Sequence, residues 1–242
     1  MSENIALLLF GLHYAHVECH SKINYNHIID YRYYIKNIRE TLLNNFSNFN
    51  IDCYAVTNES NIQDNLINDY NLKNYIIDNN SGKRNYKIRK GLELIINSNI
   101  HYKYIIITRF DIYFLRNITQ NIIDFDKLNL VSILEHNHLI DDNFYFLPNK
   151  YLERFYNIFC ECNDSYNEEA HNLIHIFNNH FEVNYLCNEH TFIDNLSFYK
   201  LRFYSNIEFK LNYQHFEKNL YYYSKDNNAV LLLYDECVNL HP

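Results

Sequence analysis

The chain has 242 residues, of which 48% are hydrophobic, and its net charge is −8. The hydrophobic content excludes a disordered chain, and the negative charge argues against nucleic acid as the main partner because phosphate binding needs a basic face. With only three glycines, a glycine-rich phosphate loop is excluded as the main binding device.

The composition also bears on the cellular compartment. Asn, Ile and Tyr are abundant throughout, which is typical of an AT-rich genome such as that of a large DNA virus or a protist. The apolar run Ile5 to Phe10 is too short for a signal peptide and lacks a basic flank, and no run approaches the roughly 20 residues of a membrane helix. The six cysteines are scattered without zinc spacing, which favours reduced thiols. We therefore expect a cytoplasmic protein without a membrane span, in the host cytoplasm if it is viral.

The first half of the chain alternates between strand and helix patterns. The predicted strands are Ile5 to Phe10, Ile51 to Thr57, Lys73 to Asp78 and Tyr104 to Thr108, with Ile112 to Leu115 as a possible continuation of the last. Helical spacing predicts a helix from His27 to Phe49 and another that starts after an N-cap at Ser81. The polar stretch after Thr57 could also contain a helix. This order predicts an α/β fold, Rossmann-like, with a mostly parallel central sheet flanked by helices.

The second half has a mixed pattern. Its predicted strands are Leu130 to Glu135, Asp142 to Pro148, "LRFYSN" and "AVLLLYD", and its predicted helices are Asn149 to Cys160, Glu168 to Phe181 and Glu189 to Tyr199. No linker rich in Pro, Gly or Ser and no internal repeat interrupts the chain. We therefore expect one domain over residues 1–242.

Arg109 and Asp111 are the residues that most need an explanation. They come just past the predicted fourth strand, Tyr104 to Thr108. Charged residues are seldom buried unless they are paired or bound to something. Parallel sheets bind ligands at the carboxyl ends of their strands, so a ligand is expected near these two side chains.

The order of these segments resembles the glycosyltransferases of the GT-A type, and "YKYIIITRFDIYF" resembles families in which the metal motif is Arg-x-Asp rather than Asp-x-Asp. "LLLFGLHY", "DDNFYFLPNKYLERFYNIF" and "NEHTFIDNL" resemble other parts of the same fold, and the likeness covers roughly residues 4 to 205. It implies a nucleotide-sugar donor, such as a UDP- or GDP-sugar, and a glycan or glycoprotein acceptor. It also implies a nucleotide-binding half at about 1–115 and an acceptor-side half at about 116–242. The oligomeric state is left open.

The resemblance implies a role for a cation. Asp111 would be a carboxylate ligand of Mn²⁺ or Mg²⁺ that meets the charge of the departing diphosphate, and His190 or His215 could complete the metal site. Arg109 stands where the first aspartate of the motif is usual, which removes one anionic ligand and puts metal dependence in doubt. Arg109 could orient Asp111, or contact a phosphate directly. A purely structural Arg–Asp pair is the alternative.

Donor contacts are expected from two further segments. Lys83 and Arg84, with Lys87, begin the helix before the fourth strand, and cations at a helix N-terminus favour phosphate; a solvated helix face is the alternative. Gly11 would let the backbone approach the nucleotide, although a plain turn is equally compatible. His13 and Tyr14 could stack on the base or form hydrogen bonds with it.

A catalytic base is expected only if the enzyme inverts the anomeric configuration. Asp142, Asp141 and Glu189 are the candidates to accept the proton of the acceptor hydroxyl, although carboxylates before a strand are often turn formers. The sequence does not decide between inversion and retention.

Two alternatives to a glycosyltransferase stay open. The first is a degenerate module of the same fold that binds a glycan or a protein without turnover, which the missing first aspartate would explain. The second is a nucleotidyltransferase, which would prefer a nucleoside triphosphate to a diphosphate sugar. Fold alone does not separate these functions.

Overall fold

The computed structural model describes residues 3–19, 25–79, 84–114, 117–131, 133–134, 139–140, 143–162, 173–186, 198–202, 222–223 and 230–233. The strands of the first half are β1 (Asn4–Phe10), β2 (Tyr14–Cys19), β3 (Tyr25–Asp30), β4 (Asn50–Thr57), β5 (Leu72–Ile77), β6 (Tyr104–Arg109) and β7 (Ile112–Phe114). The helices of this half are α1 (Ile35–Thr41), α2 (Gln63–Tyr70) and α3 (Arg84–Ile96). Short 3₁₀ helices cover Tyr31–Tyr33 and Leu43–Phe46.

The second half contributes shorter elements. Its strands are β8 (Leu128–Leu130), β9 (Ile133–Leu134), β10 (Leu139–Ile140), β11 (Phe144–Pro148), β12 (Val183–Tyr185), β13 (Phe198–Arg202), β14 (Tyr222–Tyr223) and β15 (Val230–Leu233). The helices are α4 (Leu152–Glu161) and α5 (Ile174–His180), and a 3₁₀ helix covers Asn149–Tyr151.

A central sheet of seven strands organises these elements. Its order is β12-β8-β11-β6-β1-β4-β5, and β11 is antiparallel to both of its neighbours while the other pairings are parallel. Three smaller sheets accompany it: β2 with β3, β9 with β10, and β14-β15-β13-β7. The predicted α/β fold with a mostly parallel central sheet flanked by helices is confirmed.

The two faces of the sheet are covered by different helices. Residues of β1 alternate between two buried clusters: Ile5, Leu7 and Leu9 pack with α1 and α2, whereas Ala6, Leu8 and Phe10 pack with α3, α4 and α5. All six residues of β6 are buried. A strand buried on both faces has a continuous apolar sequence, which explains the runs "IALLLF" and "YIIIT".

The strand order creates a switch point beside β1. The chain proceeds from β1 to β4 and β5 on one side and then returns through α3 to β6 on the other side of β1. In open α/β sheets, the carboxyl ends of the strands at such a switch point are where ligands bind.

The long predicted helix from His27 to Phe49 is wrong over most of its length. The structure has β3, two 3₁₀ turns and only the seven-residue α1 in this region. β3 pairs with the unpredicted strand β2 over six residue pairs, and these interstrand hydrogen bonds outweigh the helical spacing of the apolar residues. At the end of β3, the Asp30 carboxylate accepts a hydrogen bond from the Arg32 backbone N–H (3.0 Å) and starts the first 3₁₀ turn.

Other predicted elements shift or shorten. The strand predicted for Leu130 to Glu135 appears as β8 and β9, separated by a break. Tyr199, predicted as the end of a helix, lies in β13, where it pairs with Tyr113 of β7. The predicted late strands are confirmed in part by β13 and β15, and the predicted N-cap Ser81 lies outside the described residues.

In the part of the chain that the structure describes, no helix has the length and hydrophobicity needed to cross a membrane.

Candidate functional site

Gly11 forms the turn that ends β1. Its φ angle is +106°, a conformation that side-chain-bearing residues rarely adopt, and its N–H donates a hydrogen bond to the Val56 carbonyl of β4 (3.2 Å). A Cβ atom added here would lie 3.9 Å from the Arg109 guanidinium. The glycine therefore brings the backbone leaving β1 close to the charged end of β6.

Arg109 and Asp111 form a buried ion pair at the carboxyl end of β6. Arg109 donates from Nε to Oδ1 of Asp111 (2.7 Å) and from Nη2 to Oδ2 (2.9 Å). Asp111 is fully buried, and Arg109 is 8% exposed. This two-point geometry fixes the plane of the guanidinium as well as its position. This contact agrees with two of the alternatives considered from the sequence, an arginine that orients Asp111 and a purely structural pair, and the functional role of both residues stays a prediction.

Lys87 brings a second positive charge to this place. It lies in the first turn of α3 and is only 4% exposed, and its Nζ donates a long hydrogen bond to the Gly11 carbonyl (3.4 Å). Burial, together with the nearby Arg109 charge and against the opposing effects of Asp78 and Asp111, lowers the pKa of Lys87 from its ordinary 10.5 to about 8. The Lys87 ammonium therefore lies near the Arg109 guanidinium, whose partner Asp111 accepts hydrogen bonds from it through both carboxylate oxygens.

Within the described residues, the Lys87 ammonium uses little of its hydrogen-bonding capacity. A lysine ammonium has three donors, and among the described residues the Gly11 carbonyl is the one acceptor that Nζ contacts within hydrogen-bond distance. A buried charge is costly unless it is paired and hydrogen-bonded. The site therefore has the donors and the charge to bind an anionic group such as a phosphate.

His13 holds two loops together behind Gly11. Its Nδ1 lies 2.7 Å from Oγ1 of Thr57 and its Nε2 lies 2.6 Å from Oγ of Ser60. The residue is fully buried, and burial, aided by the nearby Lys87 charge, lowers its pKa from 6.5 to about 4. Both ring nitrogens are thus engaged by hydroxyl groups, which favours a positioning role for His13, and its expected contact with a nucleotide base stays a prediction.

The Ser60–His13 contact is not a nucleophile–base pair of the hydrolase type. The Ser60 hydroxyl also accepts a hydrogen bond from the backbone N–H of Ile62 (3.2 Å) at the start of α2. A histidine with a pKa near 4 is a weak base at neutral pH. The contact serves to fix the loop after β4 against the loop after β1.

Two further predicted donor residues, Tyr14 and Arg84, belong to the described part of the chain. Tyr14 is the first residue of β2, and its carbonyl accepts a hydrogen bond from Nδ2 of Asn58 (3.2 Å). Arg84 is the first residue of α3, three positions before Lys87, and is partly exposed. Lys83, Asp141, Asp142, Glu189, His190 and His215 lie outside the described residues.

The segment before β11 also reaches this end of the sheet. Oγ1 of Thr108 in β6 donates a hydrogen bond to the Asn143 carbonyl (3.0 Å), and Phe144 is the register partner of Thr108. Asn143 therefore lies beside the end of β6 that carries Arg109.

The described residues do not fit a metal site held by the protein. No group of three or more His, Cys, Asp or Glu side chains in this part of the chain is arranged to hold a metal ion. Both carboxylate oxygens of Asp111, the expected ligand, accept hydrogen bonds from Arg109. We therefore derive no step through a metal ion.

Sequence reasoning placed Lys87 at a helix start but missed its burial. A signal was present: Lys87 lies on the same helical stripe as Ile88, Gly91, Leu92 and Ile95, all of which are buried against the sheet or in close contact with it. A lysine on an apolar stripe is a candidate for a buried charge.

Comparisons with known proteins add little to this geometry. No family model matches the chain, and no curated protein matches it. The chain is similar to a solved structure, the crystal structure of HddC from Yersinia pseudotuberculosis, with 17% sequence identity and a TM-score of 0.38 over 63% of this chain and 79% of that one. A likeness this distant carries no argument about function.

Proposed function

We propose that the protein is a glycosyltransferase that moves a sugar from a nucleotide-sugar donor, such as a UDP- or GDP-sugar, to a glycan or protein acceptor in the cytoplasm. The observation that carries the proposal is the pair of buried positive side chains, Lys87 and Arg109, beside the Gly11 backbone at the carboxyl ends of β1 and β6. This is the switch point of the sheet, where a nucleotide is expected.

The chemistry of sugar transfer matches this arrangement. When the bond between the sugar and the diphosphate breaks, negative charge develops on the departing nucleoside diphosphate. Fixed positive groups that are already in place stabilise such charge without reorganisation. Lys87 supplies an ammonium and Arg109 a guanidinium, which suits planar recognition of phosphate oxygens.

The neighbouring residues position these two groups. Asp111 holds the guanidinium through two hydrogen bonds. Gly11 has no side chain between its backbone and Arg109, so a ligand can approach the backbone closely. His13 fixes the turn that follows Gly11 by its contacts with Thr57 and Ser60.

The proposal is tested by donor turnover. Purified protein is incubated with UDP- and GDP-sugars, with and without Mn²⁺, and release of the nucleoside diphosphate is measured together with sugar transfer to a panel of glycan acceptors. The expected result is release that depends on the sugar nucleotide and is lost in Arg109→Met. Lys73→Met is the matched control, because Lys73 pairs with Asp52 at an exposed position of β5.

A binding module without turnover is the second candidate. The full burial of Asp111 and its two-point pairing with Arg109 favour it, because a purely structural ion pair would have the same geometry. Binding of a sugar nucleotide without release of the diphosphate under any condition would support the module. A clear preference for nucleoside triphosphates would support a nucleotidyltransferase instead.

A further inference from the structure

The described residues place an unusual buried ammonium at the centre of the candidate site. We infer that Lys87 binds the diphosphate of the donor directly and takes the charge-neutralising role that a divalent cation would otherwise have, so that nucleoside diphosphate binds without metal. This inference rests on the proposed function and specifies how its site recognises the leaving group.

Lys87 lies where it can contact a ligand at the turn after β1. Its Nζ lies within hydrogen-bond distance of the carbonyl of Gly11, the residue at which the chain turns away from β1. The bond of 3.4 Å is long compared with the usual distance of about 2.9 Å. Little is therefore lost if the ammonium turns its donors toward a phosphate oxygen at the same turn.

The balance of charge also favours a phosphate. Burial, and after it the repulsion from the Arg109 charge, lowers the pKa of Lys87. The Asp111 carboxylate is committed to Arg109 through both oxygens. A phosphate group relieves the repulsion between the two cations, whereas a divalent cation would increase it.

A metal ion fits the predicted ligand Asp111 poorly. Asp111 is fully buried, and a divalent cation would have to approach a carboxylate that already accepts two charge-assisted hydrogen bonds. Hard divalent cations are usually held by carboxylates together with phosphate and water oxygens. Among the described residues, no group of three or more His, Cys, Asp or Glu side chains is arranged to hold a metal ion.

The test is a titration of UDP and of GDP into the wild-type protein by isothermal calorimetry, once in EDTA and once in Mn²⁺. We expect binding of at least one nucleotide with a dissociation constant that is unchanged within about twofold by the metal. Loss of a charge-assisted hydrogen bond weakens binding by about tenfold or more, so Lys87→Met is expected to show at least that loss. Lys90→Met is the matched control, since Lys90 lies on the same helix and pairs with Glu93 at a partly exposed position.

The outcomes separate the inference from the function on which it rests. Nucleotide binding that disappears in EDTA and returns with Mn²⁺ overturns the inference and leaves the glycosyltransferase proposal standing. Wild-type affinity in Lys87→Met, with circular dichroism confirming the fold, also overturns it. Absence of UDP and GDP binding under both conditions overturns the inference and the proposed function together. The titration in EDTA uses the wild-type protein, so it tests the inference even if Lys87→Met does not fold.

Discussion

The buried charge of Lys87 lowers the stability of the folded protein but serves its proposed role in binding. Its ammonium is buried beside Arg109, and such placement lowers the stability of the folded state. Residues kept in unfavourable environments are concentrated at functional sites. Removal of this side chain should therefore strengthen the fold while it weakens binding.

This opposition gives a pH prediction for Lys87→Met. The pKa of Lys87 is about 8 in the folded chain against an ordinary 10.5, so the folded state binds fewer protons between these values and its stability rises with pH across this interval. Below pH 8 the full cost of the buried charge is present, up to about 3 kcal/mol. We expect Lys87→Met to be more stable than wild type at pH 7 and this advantage to shrink toward pH 10.5. Urea unfolding of both proteins measures the difference; a constant gap would contradict the prediction.

Gly11 gives a second prediction at this scale. Its φ of +106° is strained for any residue with a Cβ, at a cost of about 1–3 kcal/mol, while the space around an added Cβ is adequate, with the nearest Arg109 atom at 3.9 Å. Gly11→Ala is therefore expected to lose stability through backbone strain alone. The urea midpoint measures the loss, and an unchanged midpoint would show that the turn relaxes without cost.

Single residues were predictable from the sequence where local spacing sufficed. The apolar run from Tyr104 predicted the position of Arg109 and Asp111 at the end of a strand, and their contact was one of the alternatives left open. The burial of Lys87 depends on the rotation of α3 against the sheet, and the engagement of both nitrogens of His13 depends on residues 44 and 47 positions away. Tertiary contacts of that kind have no local sequence signal.

At the level of elements, the close packing of α3 on β1 places Lys87. A Cβ at Gly91 would lie 2.2 Å from Cδ1 of Leu8, and Leu8 is fully buried. The absence of a side chain at Gly91 lets the helix lie directly on the strand. The first turn of α3 then lies near the end of β1.

Gly91→Ala tests this packing. The added methyl group collides with the Leu8 side chain, and overpacking of a core costs typically 1–3 kcal/mol. We expect the substitution to lower the free energy of unfolding despite the better helix propensity of alanine, which favours it by up to about 1 kcal/mol. In the double variant Leu8→Ala/Gly91→Ala, the Gly91 substitution should cost less than in the wild-type background. Equal costs in both backgrounds would contradict the proposed collision.

The link that His13 makes between two loops predicts acid sensitivity. The unfolded chain takes up a proton near pH 6.5, whereas folding lowers the pKa of His13 to about 4, so stability falls as pH decreases between these values. Lys87 reinforces this effect and Asp30 opposes it. The loss approaches about 3 kcal/mol. His13→Gln, which cannot titrate, should show a smaller loss over this interval in thermal unfolding; parallel curves for both proteins would refute the assignment.

Elements with strong periodicity were predictable, and the hairpin was not. The apolar runs of β1 and β6 identified their strands, because strands buried on both faces have continuous apolar sequences, and alternation identified β4. β3 was mistaken for part of a helix because Ile28, Tyr31 and Ile35 satisfy helical spacing as well. Its pairing with β2 is non-local, and local spacing does not reveal it.

For the whole molecule, sheet topology accounts for the position of the site. Segments distant in sequence meet at one edge: Gly11 after β1, Lys87 on α3, Arg109 at the end of β6 and Asn143 before β11. A chain with a net charge of −8 concentrates two buried cations there. Local positive charge of this kind attracts an anionic ligand, although the net negative charge of the protein repels it.

The overall architecture could be predicted because alternation of strands and helices restricts the sheet to few orders. The antiparallel direction of β11 could not, since it depends on the connection that precedes it. The extent of one domain over residues 1–242 and its division into a nucleotide-binding and an acceptor-side half stay predictions. The resemblance to GT-A glycosyltransferases also stays a prediction, and it supports the proposed function only as such.

The most direct test of the central claim is a crystal structure of the protein with a bound nucleoside diphosphate, grown in EDTA. The account predicts phosphate oxygens within hydrogen-bond distance of Lys87 Nζ and the Arg109 guanidinium, next to the Gly11 backbone. A nucleotide bound elsewhere, or phosphates that contact neither Lys87 nor Arg109, would contradict it.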